Sequence, residues 1–241
     1  MLFNQWKRYF QQNKNHFRHI DIERPDVLTQ NEKSLISSSL QQFQRGEQSE
    51  GQYLFAFAMQ VGDEDYLESI RLFIREEQRH AKILGAYMER NSIPLIKRHW
   101  VDSVFRGLRR LAGIENTVRV LLIAEIIAKT YYRALCRATS SALLQDICIQ
   151  ILQDQDQHIR FHCDALHFFH QKKSPAGRLL VSFWQLSLMS GAMLVVWLYH
   201  HKVLYKAGYS LQRFMRNTLS IYFDAERYIQ RREKAQFGFG R

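Results

Sequence analysis

Carboxylates recur in this chain at positions where helical periodicity calls for apolar side chains, and few folds tolerate that. Between residues 36 and 61 the stripe Ile36, Leu40, Phe43, Glu47, Glu50, Leu54, Phe57 and Val61 steps by fours and threes, as one core-facing strip of a helix does. Two of its members are acids. Beyond a turn at Gly62-Asp63, the stripe Leu67, Ile70, Ile74, Glu77, Ala81, Leu84 and Met88 repeats the stepping until Asn91-Ser92 and Pro94 stop the helix. After a connector with a short helical stretch around Trp100–Leu111, a third stripe runs through Val118, Leu121, Glu125, Ala128, Tyr132, Leu135 and Thr139, with Glu125 its one charge. A fourth helix, from about Ser141 to Lys172, carries Leu144, Ile147, Ile151, Asp154, His158, Phe161, Ala165 and Phe168, with Gln155 on the adjoining strip. A lone buried carboxylate would protonate or stay in water, so acids on all these stripes need shared partners.

The acids are arranged by an internal repeat. Glu50 and Glu77 make a first pair, Glu125 and Gln155 make a second at nearly the same separation, and His80 and His158 each lie one helical turn beyond the second member. The chain thus repeats itself in two halves, with Glu125 answering to Glu50, Gln155 to Glu77 and His158 to His80. Glu50 and Glu77 lie roughly 18 Å and 22 Å along their helices from the turn between them, and therefore face each other at similar height. The second pair does the same across a turn near Ser140. Four helices thus bring Glu50, Glu77, His80, Glu125 and His158 to one level, and each i, i+3 pair projects from one helical face. Such a set of groups calls for cations. Carboxylates with one imidazole per metal suit iron, or manganese, better than zinc, whose structural sites prefer thiolates. The three cysteines, Cys136, Cys148 and Cys163, show neither zinc spacing nor an even count for a disulfide framework, which points to a reducing cytoplasm.

A Glu from each of two helices and Glu-x-x-His from each of two others is the ligand pattern of di-iron and di-manganese helical bundles. The stretches EGQYLFAFAM, YLESIRLFIREEQRHAKILGAY, LLIAEIIAKTYYRAL and ILQDQDQHIRFH resemble the ferritin-like superfamily, and most closely bacterial ferritin-like domain proteins whose activity is unsettled. The resemblance covers roughly residues 30 to 170. It implies an all-α fold, a ferritin-like four-helix bundle over 28–173 with an N-terminal arm at 1–27 and two additional C-terminal helices in 174–241. It implies Glu50, Glu77, His80, Glu125 and His158 as metal ligands, and Glu76 and Asp154 as acids that each hold the other helix's histidine. The chain departs from the pattern at Gln155, where a glutamate ligand is expected. A neutral amide is a weak ligand, which puts the second of two irons in doubt unless Asp154 moves into its place. His162, His167 and His170 continue the run beyond His158 but read as packing or surface groups, and Tyr131 and Tyr132 as core.

The stretch from Leu179 to Tyr199 carries no charge and is long enough to span a bilayer. A single crossing would, however, export residues 200–241, with nine Lys or Arg against three acids, against the positive-inside tendency. Burial in the fold or peripheral docking on a membrane is the favoured reading. The net charge of +11 comes without a nucleic-acid motif, and helically spaced groups such as Arg106, Arg109 and Arg110 or Arg227, Arg231 and Arg232 read as solvated faces, so no specific nucleic-acid partner is expected. Two functions remain. One is a di-iron oxidoreductase that activates dioxygen or peroxide on an apolar small molecule, with an external electron donor. The other is a metal-binding or degenerate scaffold that acts through protein or membrane contacts.

Overall fold

The computed structural model describes the backbone of residues 2–48, 51–97, 107, 113–170 and 175–237; side chains of 170, 175–182 and 232–237, His170 and Arg232 among them, are outside the description. Among the described residues the chain is helical, without strands. The helices are α1 (Leu2–Gln12), α2 (Gln30–Glu47), α3 (Gln52–Met59), α4 (Glu64–Arg90), α5 (Gly113–Ala138), α6 (Ala142–His170), α7 (Pro175–Lys206) and α8 (Leu211–Phe237). Helix α5 packs along α6, α4 touches α1, α2, α3 and α6, and α7 and α8 lie against α5, with α8 also on α6 and α7 also on α2. Most of the connector from 98 to 112, with Arg106, Arg109 and Arg110, lies outside the described residues.

Local chemistry sets the helix ends. Thr29 accepts a hydrogen bond from the Glu32 backbone N–H at 3.2 Å and donates to the Glu32 carboxylate, a reciprocal N-terminal cap. Asp63 caps α4 through the Tyr66 N–H at 2.8 Å. The start of α6 is held by acids from far upstream. Asp26 accepts from the Leu143 N–H at 2.6 Å, and Glu32 accepts from the Ser140 N–H at 2.7 Å. Both carboxylates meet the positive end of the helix, where unpaired N–H groups gather.

The single stripe expected over 36–61 is broken. Helix α2 stops at Glu47, and α3 begins at Gln52 after Gly51 adopts a left-handed φ of +64°. A Cβ at Gly51 would collide with the Ile74 side chain, so glycine serves both the turn and the close approach to α4. The segment expected as an arm is also more than that. Helix α1 lies on α4, buries Phe3 and Phe10, and carries Trp6, whose indole N–H donates to Asp164 at 2.9 Å.

Helix α7, expected to be buried in the fold or docked peripherally on a membrane, is buried along one side only. Gln185, Met189, Ala192, Met193, Val196, His200 and Val203 are buried on one side, while Phe183, Leu194, Leu198 and Tyr205 are exposed on the other. No helix among the described residues is long and apolar enough to cross a membrane.

Among the described residues the core is two apolar clusters with a polar layer between them. On α4, Tyr66, Ile70 and Phe73 belong to one cluster and Leu84, Tyr87 and Met88 to the other. On α6 the order is reversed, with Leu144, Ile147 and Ile151 in the second cluster and Phe161 and Leu166 in the first. Between them come Glu76 and His80 on α4, and Asp154, Gln155 and His158 on α6, all buried.

Three substitutions test this account. Gly51→Ala should cost more than about 1 kcal/mol in denaturant unfolding, because a Cβ is strained in the left-handed region and collides with Ile74. Gly46→Ala, inside α2 with open space around it, should instead stabilise by up to about 1 kcal/mol. The Glu32 carboxyl lies below its ordinary range, chiefly through the Ser140 backbone N–H. Its stabilising effect is therefore present above the unfolded-state pKa near 4.5 and fades as pH falls through the lower folded value. Glu32→Gln should lower stability at pH 7 by about 1 kcal/mol or less, since solvent screens the group, and the gap from wild type should close on acidification.

Candidate metal centre

The ligand-type side chains reach the polar layer from four different helices. Glu47 comes from the last turn of α2, Glu77 and His80 from the middle of α4, Glu125 from α5 and His158 from α6. They form two groups, Glu47–Glu77–His80 and Glu77–Glu125–His158, whose ligand atoms within each group lie within 4.8 Å of one another. Glu77 belongs to both. Its Oε1 atom is 3.3 Å from His80 Nδ1 and 3.2 Å from His158 Nδ1, a position from which one carboxylate can bridge two cations. His80 Nδ1 lies 3.6 Å from Glu47 and His158 Nδ1 3.5 Å from Glu125.

The outer ring nitrogens are held crosswise. His80 Nε2 pairs with Asp154 at 3.0 Å, and His158 Nε2 pairs with Glu76 at 3.0 Å, so each histidine is oriented by an acid one turn before the histidine of the other helix. With the outer nitrogens engaged, the Nδ1 atoms turn inward as the free ligand positions. Asn13 ties the two acids together, donating to Glu76 at 3.1 Å and to Asp154 at 2.9 Å. His16 adds its Nδ1 atom 3.1 Å from Asp154, and Gln150 donates to Asp154 at 3.1 Å.

Electrostatics follow from this packing. Burial lowers the proton affinity of His80, but Asp154, Glu47 and Glu77 outweigh it and hold the imidazole well above its ordinary value. His158 is raised in the same way by Glu125, Glu76 and Glu77. Burial and the Glu77 charge push Glu47 up to about 8. For Glu77 and Asp154 burial works upward, yet the imidazoles beside them, His158 and His80 for Glu77 and His16 and His80 for Asp154, bring both carboxyls below the usual range.

Several buried atoms nevertheless lack a hydrogen-bond partner: Glu77 Oε1, His80 Nδ1, His158 Nδ1 and both side-chain atoms of Gln155. Orphaned polar atoms of this kind are costly and uncommon in a folded interior. Four of the expected ligands, Glu77, His80, Glu125 and His158, are brought together. Glu50 lies outside the described residues, and Glu47 occupies the corresponding place in the layer. Asp154 sits on the outer nitrogen of His80 rather than beside the Nδ1 atoms, because its oxygens are taken by Asn13, His16, His80 and Gln150.

A signal for Glu47 was present in the numbering. The step along the chain from Glu47 to Glu125 equals those from Glu76 to Asp154, from Glu77 to Gln155 and from His80 to His158. The step from Glu50 to Glu125 falls short of it. Asn13 and His16 lie outside the repeat and carried no such mark. Tyr132, read as core, is buried and donates to Glu47 at 2.7 Å, while Tyr131 stacks on Phe43. No protein-family model, curated protein or solved structure matches the chain.

The crosswise pairs can be tested without metal. Asp154→Asn keeps the size of the side chain but removes the charge facing His80 and His16, so the metal-free protein should lose about 1–3 kcal/mol in chemical unfolding. Unchanged stability of the metal-free variant would show that Asp154 does not hold these rings.

Proposed function

We propose that this chain is a ferritin-like, carboxylate-bridged two-metal protein and that its activity is that of a di-iron oxidoreductase. The observation that carries this reading is the Glu77 carboxylate shared by two clusters, with inward Nδ1 atoms on either side that have no hydrogen-bond partner. Carboxylate-rich ligands with imidazole suit iron and, as an alternative, manganese. Iron bound there supplies the redox chemistry that activates dioxygen or peroxide.

The chain's own residues would do the rest. Glu47, Glu77, His80, Glu125 and His158 bind, while Glu76 and Asp154 fix the two rings through their outer nitrogens. Phe73 stands edge-on to His158 at 4.8 Å, with Phe10 and Phe161 beside it, and these aromatic walls keep water away and favour an apolar substrate. Reducing equivalents come from an electron donor outside the chain. The free thiols Cys136, Cys148 and Cys163 suit a reducing cytoplasm. The exposed apolar side of α7, near Lys202 and Lys206, is the surface for a peripheral membrane contact.

A second reading rests on Gln155. It stands in the register of Glu77 but bears no charge, so the second bridging carboxylate is missing and the chain would be a metal-binding scaffold without turnover.

Anaerobic loading of the purified chain with ferrous iron, followed by metal analysis, tests the proposal. Two irons per chain and oxidation of the iron on admitting oxygen are expected. A chain that takes up no iron or manganese would falsify it, and metal uptake without reaction with oxygen or peroxide would favour the scaffold.

A further inference from the structure

The two halves of the polar layer follow one register, and they part company at two neighbouring places on α6. Gln155 stands where the first half has Glu77, and His162 stands where it has Leu84. Leu84 is a buried apolar residue of the core. His162 is just as buried, yet neither of its ring nitrogens has a hydrogen-bond partner. Its Nε2 atom points to Glu125, 3.7 Å from Oε1, too far for a hydrogen bond and suitable for a cation held between them.

Gln155, His158 and His162 are spaced i, i+3, i+7 and share one face of α6. The Phe73 ring closes the other side of the His162 imidazole at 4.9 Å, nearly perpendicular to it. An imidazole so enclosed, with no hydrogen bond on either nitrogen, is unfavourable to bury.

We infer that His162 is a further metal ligand, which replaces on the α5–α6 side the donor that Gln155 withdraws. The inference rests on the two-metal reading above. The two positions then differ. One is held by Glu47, Glu77 and His80, the other by Glu77, Glu125 and His158, which His162 joins from the Glu125 side. Both have two carboxylates, but the second has two imidazoles to the first's one, so it prefers iron or cobalt, while the first accepts manganese more readily.

Cobalt(II) reports on this through stoichiometry and its visible absorption. The wild-type chain should bind two cobalt ions. His162→Leu, which installs the residue of the other half, should bind one of them at least tenfold more weakly and lose part of the absorption. The same variant without metal should melt at or above the wild-type temperature, because an orphaned ring has become an apolar side chain. A residue that merely packs would behave oppositely. The double variant Gln155→Glu/His162→Leu makes the halves alike and should recover the second cobalt. Two cobalt ions with unchanged affinity and absorption in His162→Leu overturn this inference alone, and a wild-type chain that binds no cobalt overturns it together with the two-metal reading.

Discussion

Everything else in this molecule is arranged around the enclosure of mutually dependent acids and imidazoles between two apolar clusters. Glu76, His80, Gln155 and His158 are buried to the point of having essentially no solvent contact, and Asp154, Glu47 and Glu125 nearly so. A single charge in that setting would be prohibitive, and a pair only breaks even when its geometry is good. The crosswise arrangement meets this demand because each helix carries both a histidine and the acid that orients the other helix's histidine. Neither α4 nor α6 can shift along its axis without separating both pairs at once. The layer thus determines the register of the helices more strongly than apolar packing, which tolerates sliding and exchange of side chains.

Departures from twofold internal symmetry are concentrated around the same layer. The chain breaks between α2 and α3, whereas α5 continues unbroken past Glu125. The break places Glu47 in the last turn of its helix, where Tyr132 of α5 reaches it. Leu54 is the counterpart of Tyr132 in the register that pairs Glu47 with Glu125, so the tyrosine serves only one side. Together with Gln155 and His162, these differences give the two halves of the layer different surroundings although their ligand-type residues follow one register.

The helices and the core of the site were legible in the sequence because both depend on period. Glu77, His80, Glu125 and His158 stand at the crossing of the helical periodicity and a long repeat, and the acids at 76 and 154 follow from the same register. The break after Glu47 was not legible, since Leu54 and Phe57 continue the apolar stripe across it and only the left-handed Gly51 marks the turn. That continuity made Glu50 look as suitable as Glu47. Asn13 and His16 escaped for another reason: their place is decided by α1 docking on α4, a contact that no periodicity within α1 records. His162 was visible as a residue but not as an exception, because its oddity lies in unpartnered nitrogens.

Asn13 joins positions 141 apart in the chain when it reaches Asp154, and Trp6 spans 158 to meet Asp164. Contacts over such separations close large loops and are the slowest to form in a helical protein whose other contacts are mostly local. Helix α1 is therefore an early product of synthesis but a late participant in folding. It can dock on α4, where Asn13 meets Glu76, but its polar end is completed only when α6 brings Asp154. Until then the side of the layer that Asn13 and His16 cover stays open to water, so the acids at 76 and 154 keep part of their hydration until the segment closes over them.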